Sequence, residues 1–487
     1  MKLVIAEKPS VAMALAQVLG ARNRKDGYVE GNGYIVSWCV GHLVGLCDAA
    51  EYDEKYRKWR YEDLPIVPES WKHKVLAATK KQFGILKKLM NDSNVEEVIC
   101  ATDAGREGEL IFRLVYEQAG CKKPMKRLWI SSMEEQAIKE GFASLKDGSC
   151  YDSLYQSALC RAKADWLVGI NASRLFSVLY NQNLKVGRVQ TPTLAMIVDR
   201  NQKIQEFTKE KYYVAHIRFD EMDAVTGHFQ KREDAEKVAA DCAERMCEVE
   251  KDEEKEKTVR PPKLYDLTTL QREANRMFGY TAQQTLDAVQ EMYEQKLVTY
   301  PRTDSQYLTD EMGESTVALI QMLTGKLPFA NEMQIQPDVK KVLNSKKVSD
   351  HHAIIPTLEV KKADLESLKD RNRKILYLIS TRLLMATSDA YIYESHKCQI
   401  TCNYHTFYLS ARKIKQEGFR TIEKQMKQFF GVKAEKEEAE LDIWEGEHYG
   451  PCDAFVTEHD TQPPKQYTDV IFCERKEWIG IEERSSA

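Results

Sequence analysis

At 487 residues the chain is too long for one compact core, and three or four domains of about 100–150 residues each are expected. Hydrophobic residues at 43% and charged residues at 30% exclude a disordered chain, and no run approaches the roughly 18 apolar residues of a membrane span. The formal net charge of −4 speaks against a uniformly basic nucleic-acid binder, yet the charge is segregated. Five bases and one acid lie between Cys160 and Gln190, against ten acids and two lysines between Gly431 and Asp460. Either stretch also fits a solvated helix face, but local fields rather than the average steer a polyanion. The 12 cysteines include no C-x-x-C pair, and "CQITC" has no second pair of ligands nearby. They read as reduced side chains. "MKLVIAEKPS" places Glu7 and Lys8 where a signal peptide needs its apolar centre, so a cytoplasmic protein is expected.

Taken in chain order, "KLVIAEK" is a buried strand whose end reaches a polar site. "SVAMALAQVLG" follows as a helix, with Ser10 as its N-cap and Gly20 as its stop. "EEVICATDAGREGELIFRLVYEQAG" repeats the theme: a strand through Cys100, an acidic turn, and a helix with a stripe of Leu110, Ile111, Leu114 and Val115. Strand, charged loop and helix, twice over, predict a parallel α/β sheet whose site lies at the carboxyl ends of the strands. Tyr151 to Phe207 reads as helical and Tyr212 to about Val249 as strands. "KDEEKEKTVRPP" reads as a charged hinge. Two helices follow, the second on a Thr281–Gln284 capping box and burying Leu286, Val289 and Tyr293. More helix runs to about Ala386, and strands return at "HKCQITCNYHTFYLSA", so one β-rich domain is interrupted by a helical one.

In "ATDAGREGEL", Asp103, Glu107 and Glu109 cluster beside Arg106 at a helix start. Hard carboxylate oxygens there, with Glu7 at the other strand end, suit Mg²⁺; helix N-terminal acids on their own would need no metal. In "VTYPRTDSQYL" a phenol, weakly nucleophilic at its ordinary pKa near 10, precedes Arg302, a permanent cation that binds phosphate bidentately. "SDHHAIIPT" adds two histidines, one of which could meet a phosphate. No G-x-x-x-x-G-K-[ST] is present, so phosphoryl transfer without ATP is indicated.

"IAEKPSVA", "TDAGREGE", "ADWLVGINASRLF", "GRVQTPTL", "YPRTDS" and "DHHAIIPT", in that order, resemble a type IA DNA topoisomerase of the bacterial topoisomerase III branch, as carried on mobile elements. The resemblance implies a multidomain α/β and α+β fold: an N-terminal Toprim domain (1–150) with a parallel sheet, and a torus. The torus would comprise helical DNA-groove residues 151–210, β-rich hinge residues 211–262 and 398–470, and a helical domain at 263–397 carrying the nucleophile. It implies that Tyr300 cleaves one DNA strand as a 5′-phosphotyrosyl link and rejoins it, relaxing negative supercoils or decatenating DNA. Arg302 and His351 would hold the phosphate, Glu7 would act as general acid or base, and Lys8 would stabilise the leaving oxygen. Mg²⁺ would sit on Glu7, Asp103 and Glu107. Arg161, Arg174 and the loop Gly187, Arg188, Val189, Gln190, Thr191 and Pro192 would line a groove for single-stranded or underwound DNA. A monomer, served by a helicase or conjugative-transfer machinery, is implied. Two departures stand out. Gly105 replaces the middle aspartate of the acidic motif, and residues 471–487 do not resemble the family's continuation, which reads as a truncated end. A catalytically impaired DNA-binding remnant, or another Toprim enzyme such as a primase or nuclease, are the alternatives; the latter has no use for "YPRTDS".

Overall fold

Leu3, Val4, Ile5 and Ala6 are each fully buried, because the strand they form is covered on both faces. The computed structural model describes residues 1–330, 337–348, 351–432 and 445–468; the expected truncated end at 471–487 and the middle of the acidic stretch after Gly431 lie outside them. In chain order the first third contributes β1 (Lys2–Ala6), β2 (Asn23–Lys25), β3 (Tyr28–Gly31), β4 (Tyr34–Trp38), a separate pair β5 (Val44–Leu46) and β6 (His73–Val75), then β7 (Glu97–Ala101), β8 (Met125–Arg127) and β9 (Lys146–Asp147). Seven of these form one sheet in the order β2-β3-β4-β1-β7-β8-β9. β1 runs parallel to β4 and β7, and β7 parallel to β8, with antiparallel strands outside them.

The helices are α1 (Pro9–Leu19), α2 (Lys80–Met90), α3 (Arg106–Ala119) and α4 (Glu135–Ala143). Leu3 and Ile5 pack with Phe83 and Leu86 of α2 and Leu110 and Ile111 of α3. Val4 and Ala6 face the other way, toward Val11 and Leu15 of α1 and Ile138 of α4. The parallel α/β reading therefore holds. α1 begins one residue before the expected cap: Pro9 takes its first position, as a residue with no N–H to lose, and Gly20 closes it with φ 77°. Ala6 is level with Ala101 across the β1–β7 pair, so Glu7 and Asp103 leave the sheet side by side.

Next come α5 (Asp152–Tyr180) and α6 (Gln190–Gln205), then β10 (Lys211–Phe219), β11 (Met222–Val225), α7 (Arg232–Cys242) and β12 (Cys247–Val259). α7 lies where strands were expected; its buried Ala235, Val238, Ala239 and Cys242 follow the i, i+3, i+4, i+7 spacing of a helix face. The charged stretch before Pro261 is not an irregular connection. Lys251–Val259 is strand, paired along its length with β13 (Tyr391–Cys402). Most of its outer residues face water, so its sequence lacks the apolar alternation that marks a strand, and Lys415 links Glu256 with Glu394 across the ribbon.

Between these strands stand α8 (Leu267–Phe278), α9 (Ala282–Glu294), α10 (Gly313–Thr324) and α11 (Asp370–Ala386). The Thr281–Gln284 capping box forms with both of its hydrogen bonds. Val289 and Tyr293 are buried as expected, whereas Leu286 is half-buried and lines a cleft. The chain then completes the second sheet with β14 (His405–Gln416), adds α12 (Arg420–Phe429), and closes with β15 (His448–Tyr449) and β16 (Asp453–Asp460). The sheet order β15-β12-β13-β14-β11-β10-β16 joins segments from either side of the helical block. The block leaves and re-enters at neighbouring points, since Val259 lies opposite Tyr391.

Gly108, in the first turn of α3, packs directly against the backbone of the acidic loop: a Cβ there would lie 2.1 Å from the carbonyl oxygen of Asp103. Gly108→Ala is expected to destabilise the N-terminal unit by about 1–3 kcal/mol, read as an earlier first transition in thermal unfolding. An unchanged transition would show that the loop yields freely.

Candidate active site

Glu7 follows β1 and Asp103 follows β7, so sheet register alone sets two carboxyls beside each other. The Asp103 N–H donates to Glu7 Oε2 at 3.3 Å. Glu7 is 7% exposed, and its pKa is pushed up to about 7, first by burial and then by the Asp103 carboxylate. Burial also raises Asp103, against the pull of Lys8 and Arg302. The pair thus keeps a proton near neutrality that separate carboxyls would lose.

The loop after α9 delivers the phenol. Thr299 N–H donates to the Ile355 carbonyl, and its hydroxyl receives the Ile355 N–H. Tyr300 N–H donates to the Ser131 carbonyl of the N-terminal unit at 3.1 Å. The Tyr300 hydroxyl then donates to Asp103 Oδ2 at 3.3 Å. Tyr300 is 6% exposed, and its pKa lies well above the ordinary value because of burial and the nearby Asp103 charge, with Arg302 opposing. In this arrangement the phenol is held protonated, with its proton aimed at a carboxylate.

His351 is 2% exposed, and its ring centroid is 4.5 Å from that of Tyr300. Nε2 contacts the Ala104 carbonyl and Nδ1 lies 2.8 Å from Ser131 Oγ. A carbonyl only accepts, so the proton sits on Nε2 and Ser131 donates to Nδ1. Burial lowers the pKa to about 4, leaving the ring neutral at physiological pH. Lys8 lies 3.5 Å from Glu294, on the helix that also carries Tyr293, whose ring meets Tyr300 edge-on at 5.4 Å.

Glu7, Asp103 and Tyr300 open onto a cleft of about 700 Å³ that also holds Glu107, Arg161 and Arg302, whereas Lys8 and His351 are not among the residues that line it. Glu107 is the most exposed of the acids; His42 at 3.5 Å, then Arg161 and Arg106, lower its pKa. Two mutually repelling carboxylates with a third on the same cleft are a donor set that a hard cation would relieve, so Glu7 and Asp103, with Glu107, fit Mg²⁺. Among the described residues no three His, Cys, Asp or Glu side chains already stand close enough to hold an ion. A Cβ at Gly105 would meet no atom within 4 Å beyond its chain neighbours, and its backbone is extended, so there is room where the missing aspartate would begin.

Asp165 lines both this cleft and a second, which is formed by Ser173 and residues 185–190 and includes Gly187, Arg188, Val189 and Gln190. Arg188 donates to Asp165 at 2.8 Å, Thr191 Oγ1 accepts the Gly187 N–H, and Pro192 lies in the first turn of α6. Arg174 lines neither cleft. It is 6% exposed and donates to the Tyr56 carbonyl at 2.8 Å, so its guanidinium holds a loop rather than facing a groove.

Sequence reasoning missed Arg127, Ser131, Tyr293 and Glu294. Arg127 is fully buried, pairs with Glu109 at 3.0 Å, and donates to the carbonyls of Thr102 and Asp103 at 2.8 Å. Glu109 therefore braces the acidic loop from below. An arginine at the end of the short strand before "LWISS", with an acid free to meet it, was the available signal.

A family model described as DNA topoisomerase matches residues 149–474, and one described as Toprim domain matches residues 2–133. DNA topoisomerase 3 of Staphylococcus haemolyticus is 37% identical over all of this chain and 68% of its own length. That of Bacillus subtilis is 39% identical over 96% of this chain and 66% of its own length. That of Shouchella clausii is 43% identical over 79% and 54%. The chain thus spans between about half and two thirds of the curated relatives it matches. Full-length topoisomerase I from Thermotoga maritima shares the fold, with a TM-score of 0.76 over 99% of this chain and 76% of that one, at 23% identity. With its Toprim unit, its helical block and the motifs that join them at one cleft, the chain belongs to the type IA DNA topoisomerase family.

Proposed function

We propose that this chain cleaves and rejoins one strand of DNA through Tyr300, without ATP, and so relaxes negative supercoils or decatenates DNA. The observation that carries the reading is the 3.3 Å contact between the Tyr300 hydroxyl and Asp103, made between two units distant in sequence. The phenolic oxygen attacks phosphorus, a P–Oη bond forms, and the P–O3′ bond breaks. The phenolic proton passes to Asp103, and protonated Glu7 gives its own to the departing 3′-oxygen, so the pair ends with the charge it began with. Arg302 balances charge on the phosphoryl oxygens, and Lys8 turns from Glu294 toward the leaving oxygen. His351 reaches the phosphate through Nε2 once Ala104 releases it. Rejoining is the reverse, and the phosphodiester energy is retained in the tyrosyl link. Glu7, Asp103 and Glu107 would hold Mg²⁺, which supplies positive charge beside the polyanion.

The substrate on this reading is single-stranded or underwound DNA, led from Arg161 to the loop of Gly187–Pro192. The expected setting is a cytoplasmic monomer working with a helicase or conjugative-transfer machinery. No helix among the described residues is long and apolar enough to cross a membrane.

Tyr300→Phe is expected to abolish the covalent protein–DNA adduct in a denaturing gel while oligonucleotide binding persists; an adduct in the variant would displace Tyr300 as nucleophile. With Glu7 titrating near 7, its acid form is lost as pH rises, so cleavage should slow as pH rises through about 7. Glu7→Gln should cleave more slowly and lose that slope, and a slope retained in the variant would rule Glu7 out as the acid. Chelation should block relaxation more than cleavage, and full relaxation in chelator contradicts the metal's role. Gly105→Asp, placed in open space, should lower the Mg²⁺ needed for half-maximal relaxation on the order of tenfold.

A further inference from the structure

Residues 57–61, Arg-Lys-Trp-Arg-Tyr, form the tip of the long loop between β5 and β6, and no role in the chemistry above uses them. All five are exposed, Trp59 by 45% and Tyr61 by 61%. We propose that this tip is a binding site for unpaired nucleic-acid bases: DNA strand beyond the cleft stacks on Trp59 and Tyr61, while Lys58 and Arg60 meet its phosphates. The site deepens the function proposed above and rests on it for the identity of the strand.

The loop is held as a platform. Asn171 of α5 accepts the Ile66 N–H at 2.5 Å and donates back to the Ile66 carbonyl at 2.9 Å. Trp166 donates to the Cys47 carbonyl at 2.9 Å, and Arg174 holds the Tyr56 carbonyl. The Arg174 guanidinium also lies 5.3 Å from the Trp59 ring centroid, a cation–π contact that fixes the indole without covering it. Trp166, Asn171 and Arg174 all belong to the "ADWLVGINASRLF" segment, so α5 carries the groove on one side and this loop on another.

The charge at the tip suits a polyanion. Glu54 is engaged by Arg57 through both oxygens, Asp53 by Lys55, and Asp48 and Glu51 by Lys74. Lys58 and Arg60 have no acidic partner within ion-pair distance among the described residues; Glu62 is the exposed acid that remains beside them. The two ends of the loop that carries the tip also meet the groove. Trp166 lines the groove and meets Tyr52 and Trp71 of the loop edge-on, and Lys163 stands 5.7 Å from the Trp71 ring. Aromatic faces interleaved with cations serve unpaired bases, because paired bases keep their faces stacked.

The test uses the full chain and two single-stranded oligonucleotides, one just long enough to fill the active cleft and one three times as long, with affinity read by fluorescence anisotropy. Trp59→Ala/Tyr61→Ala should weaken the long strand on the order of tenfold and leave the short strand unchanged. Trp59→Phe should restore most of the loss. Lys58→Gln/Arg60→Gln should flatten the salt dependence of long-strand binding by about 1.4 in log–log slope. Equal affinity of wild type and both double variants for the long strand overturns the proposal. So does an equal loss on short and long strands, which would mark a general folding defect, or a loss seen equally with duplex. Adduct formation at Tyr300 is scored on the same samples. Its absence in the wild type would strike at the proposed chemistry alone, while the comparison between strand lengths would still decide the loop.

Discussion

The Tyr300 hydroxyl meets Asp103 because two units built separately along the chain share one apolar core. Val4, Val11, Leu15 and Ile138 of the sheet unit belong to the same buried cluster as Val289, Tyr293 and Ile354 of the helical block. On top of that contact lie a few directional bonds: Tyr300 N–H to Ser131, His351 to Ala104 and Ser131, and Lys8 to Glu294. The core brings the halves together without selecting a register, and the polar bonds fix it to within the reach of a hydrogen bond.

Electrostatics at the joint follows from the same burial. Removing water raises Glu7, Asp103 and Tyr300 together, while Lys8 and Arg302 pull all or part of the set down. The result is a cluster that holds its protons more tightly than the same groups would in water. A cation or a phosphate entering the cleft changes this balance, which couples binding to the protonation of the very groups that would react.

Elements with one strong period were legible in the sequence. β1 and β7 announced themselves as apolar runs, α3 by its four-residue stripe, and α9 by its capping box, because in each the local signal and the burial agree. The residues of the candidate cleft were legible from their motifs and chemistry, and the structure gathers Glu7, Asp103, Glu107, Tyr300 and Arg302 around it. What was not legible depends on partners far away in sequence. Lys251–Val259 is a strand only because β13 pairs with it, and nothing within its own charges says so. Arg174 carries the same charge as Arg161, yet one is buried under a loop and the other lines the cleft, a difference set by which face of α5 meets the loop of residues 47–72. Ser131 is an ordinary serine until the block that bears His351 is folded against it.

The block carrying Tyr300 joins the rest of the chain through two links that start at adjacent positions of one ribbon, opposite Val259 and Tyr391. Those links are its covalent tether, and every other attachment is non-covalent and therefore reversible. On the chemistry proposed for Tyr300, a cut strand's 5′ end would be bonded to this block, while Glu7 and Lys8, the groups proposed to act on its 3′ oxygen, belong to the sheet unit. The two ends would then belong to separate bodies, and the reach of the links at Val259 and Tyr391 would limit how far apart they could be drawn.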